Sequence, residues 1–299
     1  MVKTVLKLAI LLLSVSFIAC DNDEYSRYDA DTAETPYKPI EGRRMVASII
    51  TTNTIDGRKY SWEHKFSYDK HGRIREINSQ IEHHHYKEAF GYTRYYKCDI
   101  TSKANYYYWG EALDVVYSVE RLYPEYPDWN TSVSGKDEGR FNANGVLVKY
   151  SVLDLEYSLT SLNTAYIDGG RRYDVVRGKN SNITGYRLYD ELADTLMLDH
   201  SSRYDYSFDK NKTNFDFSGY FGYWGVEQEI PINSSVYYAP YQLAAFGMLG
   251  AGAQNLPLGM VLTDSSGNEI TGEWVLDKDG YPQSFVDVYG RKTVITYVE

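Results

Sequence analysis

The sequence predicts an all-β protein: an antiparallel meander forming a curved sheet, half-barrel or barrel, with one or two short helices. Three observations carry this. Tyrosines number 31, more than the 23 glycines, and are joined by 10 Phe and 5 Trp, a composition suited to pleated, half-buried surfaces. Apolar and polar residues alternate with a period of two along many segments. Asp/Asn-x-x-Gly turns recur between such segments. With 299 residues, 43% hydrophobic and 24% charged, the chain lies in the globular range, and disorder and fibrous repeats are excluded.

The alternation starts at Met45 to Thr51 and is plainest in Ser61 to Tyr68, where Trp62, His64, Phe66 and Tyr68 share one face and Ser61, Glu63, Lys65 and Ser67 the other. Asp69-Lys70-His71-Gly72 follows: the Asp side chain can accept a backbone N–H ahead of it, and Gly can take the positive φ of a tight turn. The unit recurs at Phe141, Asn142 and Gly145 and at Leu276, Asp277 and Gly280. A degenerate copy at Phe208 and Asp209 has Lys212 in place of glycine and predicts a longer or different turn. Alternating runs also cover Tyr92 to Ile100, Leu113 to Arg121, Val146 to Tyr157 and Thr293 to Val298. The Asp/Asn turn starts lie 73, 67 and 68 residues apart, which argues against a propeller or solenoid. Helix is expected near Ala239 to Leu249, with Pro240 in a first turn, and briefly around Phe215 to Phe221.

Ahead of this body, Lys3 and Lys7 precede an uncharged apolar run of 12 residues, Leu8 to Ala19, where a bilayer crossing needs about 20. Residues 1–19 therefore read as a secretion signal. The run ends Phe17-Ile18-Ala19-Cys20, which resembles a lipobox whose cysteine is acylated and becomes the new N-terminus. Cys98 is the one other cysteine, so after acylation no internal disulfide can form. Asp21, Asp23 and Glu24 resemble the surface-export signal of Bacteroidota lipoproteins and point to the outer face of the outer membrane. Residues 20–42 hold seven acids against Arg27 and Lys38, with Pro36 and Pro39, and read as a flexible acidic tether holding the body clear of the membrane. Residues 43–299 read as a single barrel-like domain.

The stretches Tyr68 to Ile74, Gly178 to Thr184, Asn255 to Pro257 and Asp277 to Pro282, in that order, resemble a Bacteroidota lipoprotein family of unknown function described as having a porin-like fold. The resemblance spans about Arg43 to Glu299. It implies a curved antiparallel sheet that closes or nearly closes, and it brings no established activity or catalytic residues. A membrane-spanning barrel usually ends on an aromatic residue, whereas this chain ends Tyr297-Val298-Glu299, and an acyl anchor would be redundant. The expectation is a water-soluble barrel or half-barrel, tethered by lipid, with aromatic residues lining its inner face.

Net charge is −10, and −12 past residue 19, which disfavours nucleic acid as a partner. Catalytic signatures such as G-x-S-x-G, H-E-x-x-H and a Walker loop are absent from the sequence. No catalytic residue and no cofactor is assigned. His83 and His85 share a strand face and are weak metal candidates; a third ligand would have to come from His64, Glu82 or Glu88. Asp264 to Glu269 and Asp277 to Gly280 lack the bidentate glutamate of a calcium loop and read as turns.

Aromatic clusters give the better lead: Tyr106, Tyr107, Tyr108 and Trp109; Tyr123, Tyr126 and Trp129; Tyr220, Phe221, Tyr223 and Trp224. Neighbours on a strand face opposite ways, so a run of four cannot all be core. Trp109, Trp129, Trp224, Tyr108, Tyr126 and Tyr223 are the candidates for stacking on a ligand. Asp31-Thr32-Ala33 and Asp194-Thr195-Leu196 resemble a short acceptor for O-glycans, which makes Thr32 and Thr195 modification candidates. The expected function is a non-catalytic binding or scaffold lipoprotein, held in the bilayer through Cys20 and taking a glycan or envelope protein. The alternative is a surface hydrolase, glycosidase-like, working through a carboxylate pair.

Overall fold

The computed structural model describes residues 25, 28–39, 43–89, 92–152, 155–161, 164–167, 171–177, 183–190, 195–199, 204–220, 243–250, 253–260, 262–263, 266 and 268–299. Cys20, Asp21, Asp23, Glu24, Asp194, Tyr223 and Trp224 lie outside them.

Fifteen of the described strands join one antiparallel sheet. It runs in sequence order from β1 (Val46–Ile55) through β2 (Arg58–Tyr68), β3 (Ile74–Ala89), β4 (Tyr92–Trp109), β5 (Ala112–Leu122), β6 (Thr131–Phe141), β7 (Leu147–Val152), β8 (Leu155–Ser161), β9 (Thr164–Ile167), β10 (Arg171–Arg177) and β11 (Ile183–Asp190) to β12 (Thr195–Asp199). On the other flank of β1 come β19 (Lys292–Tyr297), β18 (Pro282–Val286) and β17 (Glu273–Leu276). Two two-stranded sheets stand apart, β13 (Tyr204–Lys210) with β14 (Asn255–Met260), and β15 (Leu262–Thr263) with β16 (Glu269–Ile270). The large sheet is not closed among the described residues: β12 and β17 are its edges, and β14 touches the β17 side where Gly272 N–H donates to the Leu258 carbonyl at 2.9 Å. The expected all-β meander is therefore found. The run Val146 to Tyr157 is two strands, β7 and β8, which pair from Val152 and Leu155 outward.

The alternation in β2 does what its spacing dictates: Trp62, His64 and Phe66 are buried, while Lys65 and Ser67 are exposed. The turn after it is closed by the Asp69 carboxylate, which accepts from the N–H groups of His71 (2.9 Å) and Arg73 (3.0 Å), with Gly72 at φ +74. Asn142 and Asp277 repeat this geometry. So does Asp287, whose carboxylate accepts from Tyr289 and Arg291 ahead of Gly290 at φ +76. The degenerate copy departs: β13 ends at Lys210, and Asn211 turns the chain inward by accepting from the Thr213 N–H at 3.0 Å. There the short helix α1 (Phe217–Gly219) is capped by Asp216, which accepts from the Ser218 N–H at 3.0 Å. Of the second expected helix, residues 243–245 are helical among those described, and residues 239–242 lie outside them.

These inward segments cover part of the inner face of the sheet. Phe215 packs at 5.5 Å from both Phe66 and Phe246, and Tyr220 lies edge-on to His64 at 5.8 Å. The Met248 carbonyl accepts from the Leu147 N–H at 2.8 Å, and the Asp216 carboxylate accepts from the Ala253 N–H at 2.6 Å. Over this span aromatic residues line the inner face, as expected, and they are packed by the chain's own residues.

The second departure is the acidic segment. Residues 28–39 lie across the turns at one end of the sheet. The Arg73 guanidinium donates to the carbonyls of Ala30 and Ala33, both at 2.7 Å, and the Gly110 N–H donates to the Glu34 carbonyl at 2.9 Å. Tyr37 is buried, stacked at 5.3 Å on Phe141. The tether expected over 20–42 is thus docked over its described residues, because its aromatic rings and carbonyls find complementary partners on the sheet that composition cannot reveal.

Candidate functional site

The sheet has two ends. The turns after β2, β4, β6 and β17 lie at one, with the docked segment across three of them; the connections after β1, β3, β5 and β18 lie at the other. At this second end the β5–β6 connection builds an aromatic platform. Pro127 opens a 3-10 turn, Pro127–Trp129, as its fixed φ favours. The Trp129 N–H donates to the Tyr126 carbonyl at 2.9 Å, the Asn130 N–H to the Pro127 carbonyl at 3.1 Å, and the Tyr123 N–H to the Asn130 side chain at 2.7 Å. Residues three apart eclipse in a 3-10 turn, which brings Tyr126 and Trp129 face to face with ring centres 4.5 Å apart and planes at 17°. Tyr96, from β4, meets both edge-on at 5.1 and 5.2 Å, and Tyr123 meets Trp129 edge-on at 5.8 Å.

Trp129 remains 40% exposed, and Leu122 and Val133, on the strands that flank the turn, are exposed too. On the same end Arg58 lies 3.7 Å over the ring of the exposed Tyr95. Rings on a turn framed by Pro124 and Pro127 and closed by a hydrogen-bond circuit lose little freedom on binding, and a flat exposed indole offers an apolar face to the C–H faces of a sugar or to another ring. The signal for this platform is present in the sequence as Tyr126-Pro127-Asp128-Trp129.

The other aromatic run resolves by strand parity. Tyr106 and Tyr108 point into the core, Tyr107 is half-buried on the outer side, and Trp109 is exposed. Tyr108 is corrected from ligand candidate to core residue: it is 1% exposed and its hydroxyl donates to the Ile74 carbonyl at 2.8 Å. Trp109 is also occupied. Tyr28 sits edge-on to it at 4.9 Å, and Tyr25, whose ring lies tilted 4.1 Å from Tyr107, is 6.3 Å from it. Tyr25 donates to the Asp114 carboxylate at 2.9 Å, and that carboxylate pairs with Lys136 at 3.2 Å. Burial, with the bond to Asp114 added and Lys136 opposing, pushes the Tyr25 phenol up to about 12, so it stays a donor. These rings clasp the docked segment to the outer face of β4 to β6.

His83 and His84 pack against Tyr60, at 5.4 and 5.2 Å between ring centres. The His85 side chain lies outside the described residues, and among the described residues no three His, Cys, Asp or Glu side chains are grouped to hold a metal. Thr32 is exposed in the turn that begins at Asp29, while Thr195 opens β12, its side chain outside the described residues.

No family model matches the chain, and no curated protein matches it. The solved structure of a porin-like protein from Bacteroides uniformis is similar over 88% of this chain and 100% of that one, at 11% identity and a TM-score of 0.33. At that identity and score the likeness bears on neither ligand nor activity.

Proposed function

We propose that this chain is a lipid-anchored protein of the bacterial outer membrane, facing the cell exterior, that binds a glycan or another envelope component without catalysis. The platform of Tyr96, Tyr126 and Trp129 is the binding surface. The observation that supports this is the stacking of a 40% exposed Trp129 on Tyr126 by a rigid, proline-framed turn at the β5–β6 connection. Exposed, prearranged Trp and Tyr rings are the residue types that dominate binding energies. Anchoring rests on the short apolar run and Ala19-Cys20, and export on Asp21, Asp23 and Glu24.

Affinity gels containing host or bacterial polysaccharides test the binding, with retardation of the wild type and its loss in Trp129→Ala as the expected result. Fractionation tests the anchor: Cys20→Ala should leave the membrane fraction and lose label from a fatty-acid analogue. Protease added to intact cells should remove the body, and replacing Asp21, Asp23 and Glu24 by alanine should protect it. We further propose Thr32 as an O-glycan acceptor ahead of Thr195, since its hydroxyl stands on an exposed turn; an intact mass without added hexose would refute this.

A further inference from the structure

The docked segment limits how far the anchor can be from the sheet. Between Cys20 and Tyr25 there are five Cα–Cα steps, which span at most about 17 Å when fully extended. Tyr25 is held against Tyr107, Asp114 and Lys136, at the end of β4 and β5 that carries the Gly110 turn. From there residues 28–39 run across the turns after β2, β4 and β6: Asp31 accepts from the Lys70 N–H at 3.2 Å, Glu34 from the Gly110 N–H at 2.9 Å, and the Pro36 carbonyl lies against Gly145. The aromatic platform is at the opposite end. From Trp109 back to Tyr96 along β4 is 13 residues, about 40 Å at 3.3 Å per residue.

We propose that the turn end of the sheet rests on the lipid surface while the aromatic end stands away from it, with the clasp of Tyr25 and Tyr28 on Tyr107 and Trp109 fixing this orientation. The inference rests on acylation of Cys20. A free tether over 20–42 would let the body tumble at a reach of about 75 Å, whereas the docked segment leaves less than a quarter of that. The clasp thus turns an anchor into a mount that presents the Trp129 platform outward.

Energy transfer from a dye on the body to acceptor-labelled headgroups tests this. The acylated full chain is placed on phosphatidylethanolamine and phosphatidylglycerol vesicles after labelling Thr131→Cys, at the aromatic end, or Ala143→Cys, at the turn end. Both positions are exposed, and the native Cys98 is buried. Transfer from residue 143 is expected to exceed transfer from residue 131 several-fold. In the Tyr25→Ala, Tyr28→Ala double variant the difference should shrink several-fold; if that variant does not fold, the wild-type ratio alone decides. Equal or reversed transfer in the vesicle-bound wild type overturns the proposed orientation and leaves anchoring intact. Failure of the chain to associate with vesicles overturns the Cys20 reading and the orientation with it.

Discussion

The Tyr37 hydroxyl donates to the Phe246 carbonyl at 2.6 Å, joining the N-terminal segment to the inward turn that packs the sheet. The ring also completes a cluster of three, 5.3 Å from Phe141 and 5.9 Å from Tyr108, which are 6.3 Å from each other. Tyr37→Phe should cost about 1–3 kcal/mol, because the carbonyl loses its donor inside the core. Tyr37→Ala should cost about 3–5 kcal/mol, as for other large-to-small aromatic changes. Denaturant melts read both, and two variants as stable as wild type would mean that the segment is not part of the folded body.

Gly145 and Gly290 have nearly the same φ, +75 and +76, but different surroundings. A Cβ on Gly290 would meet nothing, whereas one on Gly145 would lie 2.5 Å from the Pro36 carbonyl oxygen. Gly290→Ala should cost about 1–2 kcal/mol for the left-handed conformation alone. Gly145→Ala should cost about 1–3 kcal/mol more, since the docked segment must shift. Equal melting of the two variants would show that residues 36 and 37 give way freely.

His64 is wholly buried beside Ser79 and Tyr220, and desolvation lowers its pKa to about 4. The unfolded imidazole binds its proton near 6.5. Between these values the unfolded chain takes up a proton that the native chain refuses. Stability should therefore fall as pH drops from about 6.5 to 4, by about 3 kcal/mol in all, and this loss is absent above that window. Carboxylates titrate there too, so the readout is the difference between wild type and His64→Gln. Melts whose pH slopes coincide would mean that His64 is protonated in the native protein.

Legibility in the sequence followed the range of the interactions. The Asp69 turn and the alternation of β2 depend on neighbours a few residues apart, and both could be read directly. Asp287 carries the same signal, yet Val288 and Tyr289 in the middle of its turn resemble strand residues and hide it. Parity fixed that Tyr108 and Trp109 face opposite ways, but which face is core depends on Phe141 and Tyr37, far along the chain. The docked segment was illegible for the same reason: among seven acids and two prolines, Tyr25, Tyr28 and Tyr37 find their partners 71 to 209 residues away, Tyr37 reaching Phe246 and Tyr28 the Tyr108 N–H. The Tyr126–Trp129 stack was accessible from an i, i+3 pair framed by proline, although its exposure was not.

The binding claim is tested most directly by melting Trp129→Ala and running it beside wild type in polysaccharide affinity gels. A core tryptophan cut to alanine costs about 3–5 kcal/mol, a large share of the 5–15 kcal/mol or so that keeps a domain folded. An indole left 40% exposed on a surface turn should cost far less. Near-wild-type melting is expected, together with loss of the retardation that wild type shows. A variant that melts far below wild type, with wild type retarded by no polysaccharide, would contradict it and make Trp129 a structural residue.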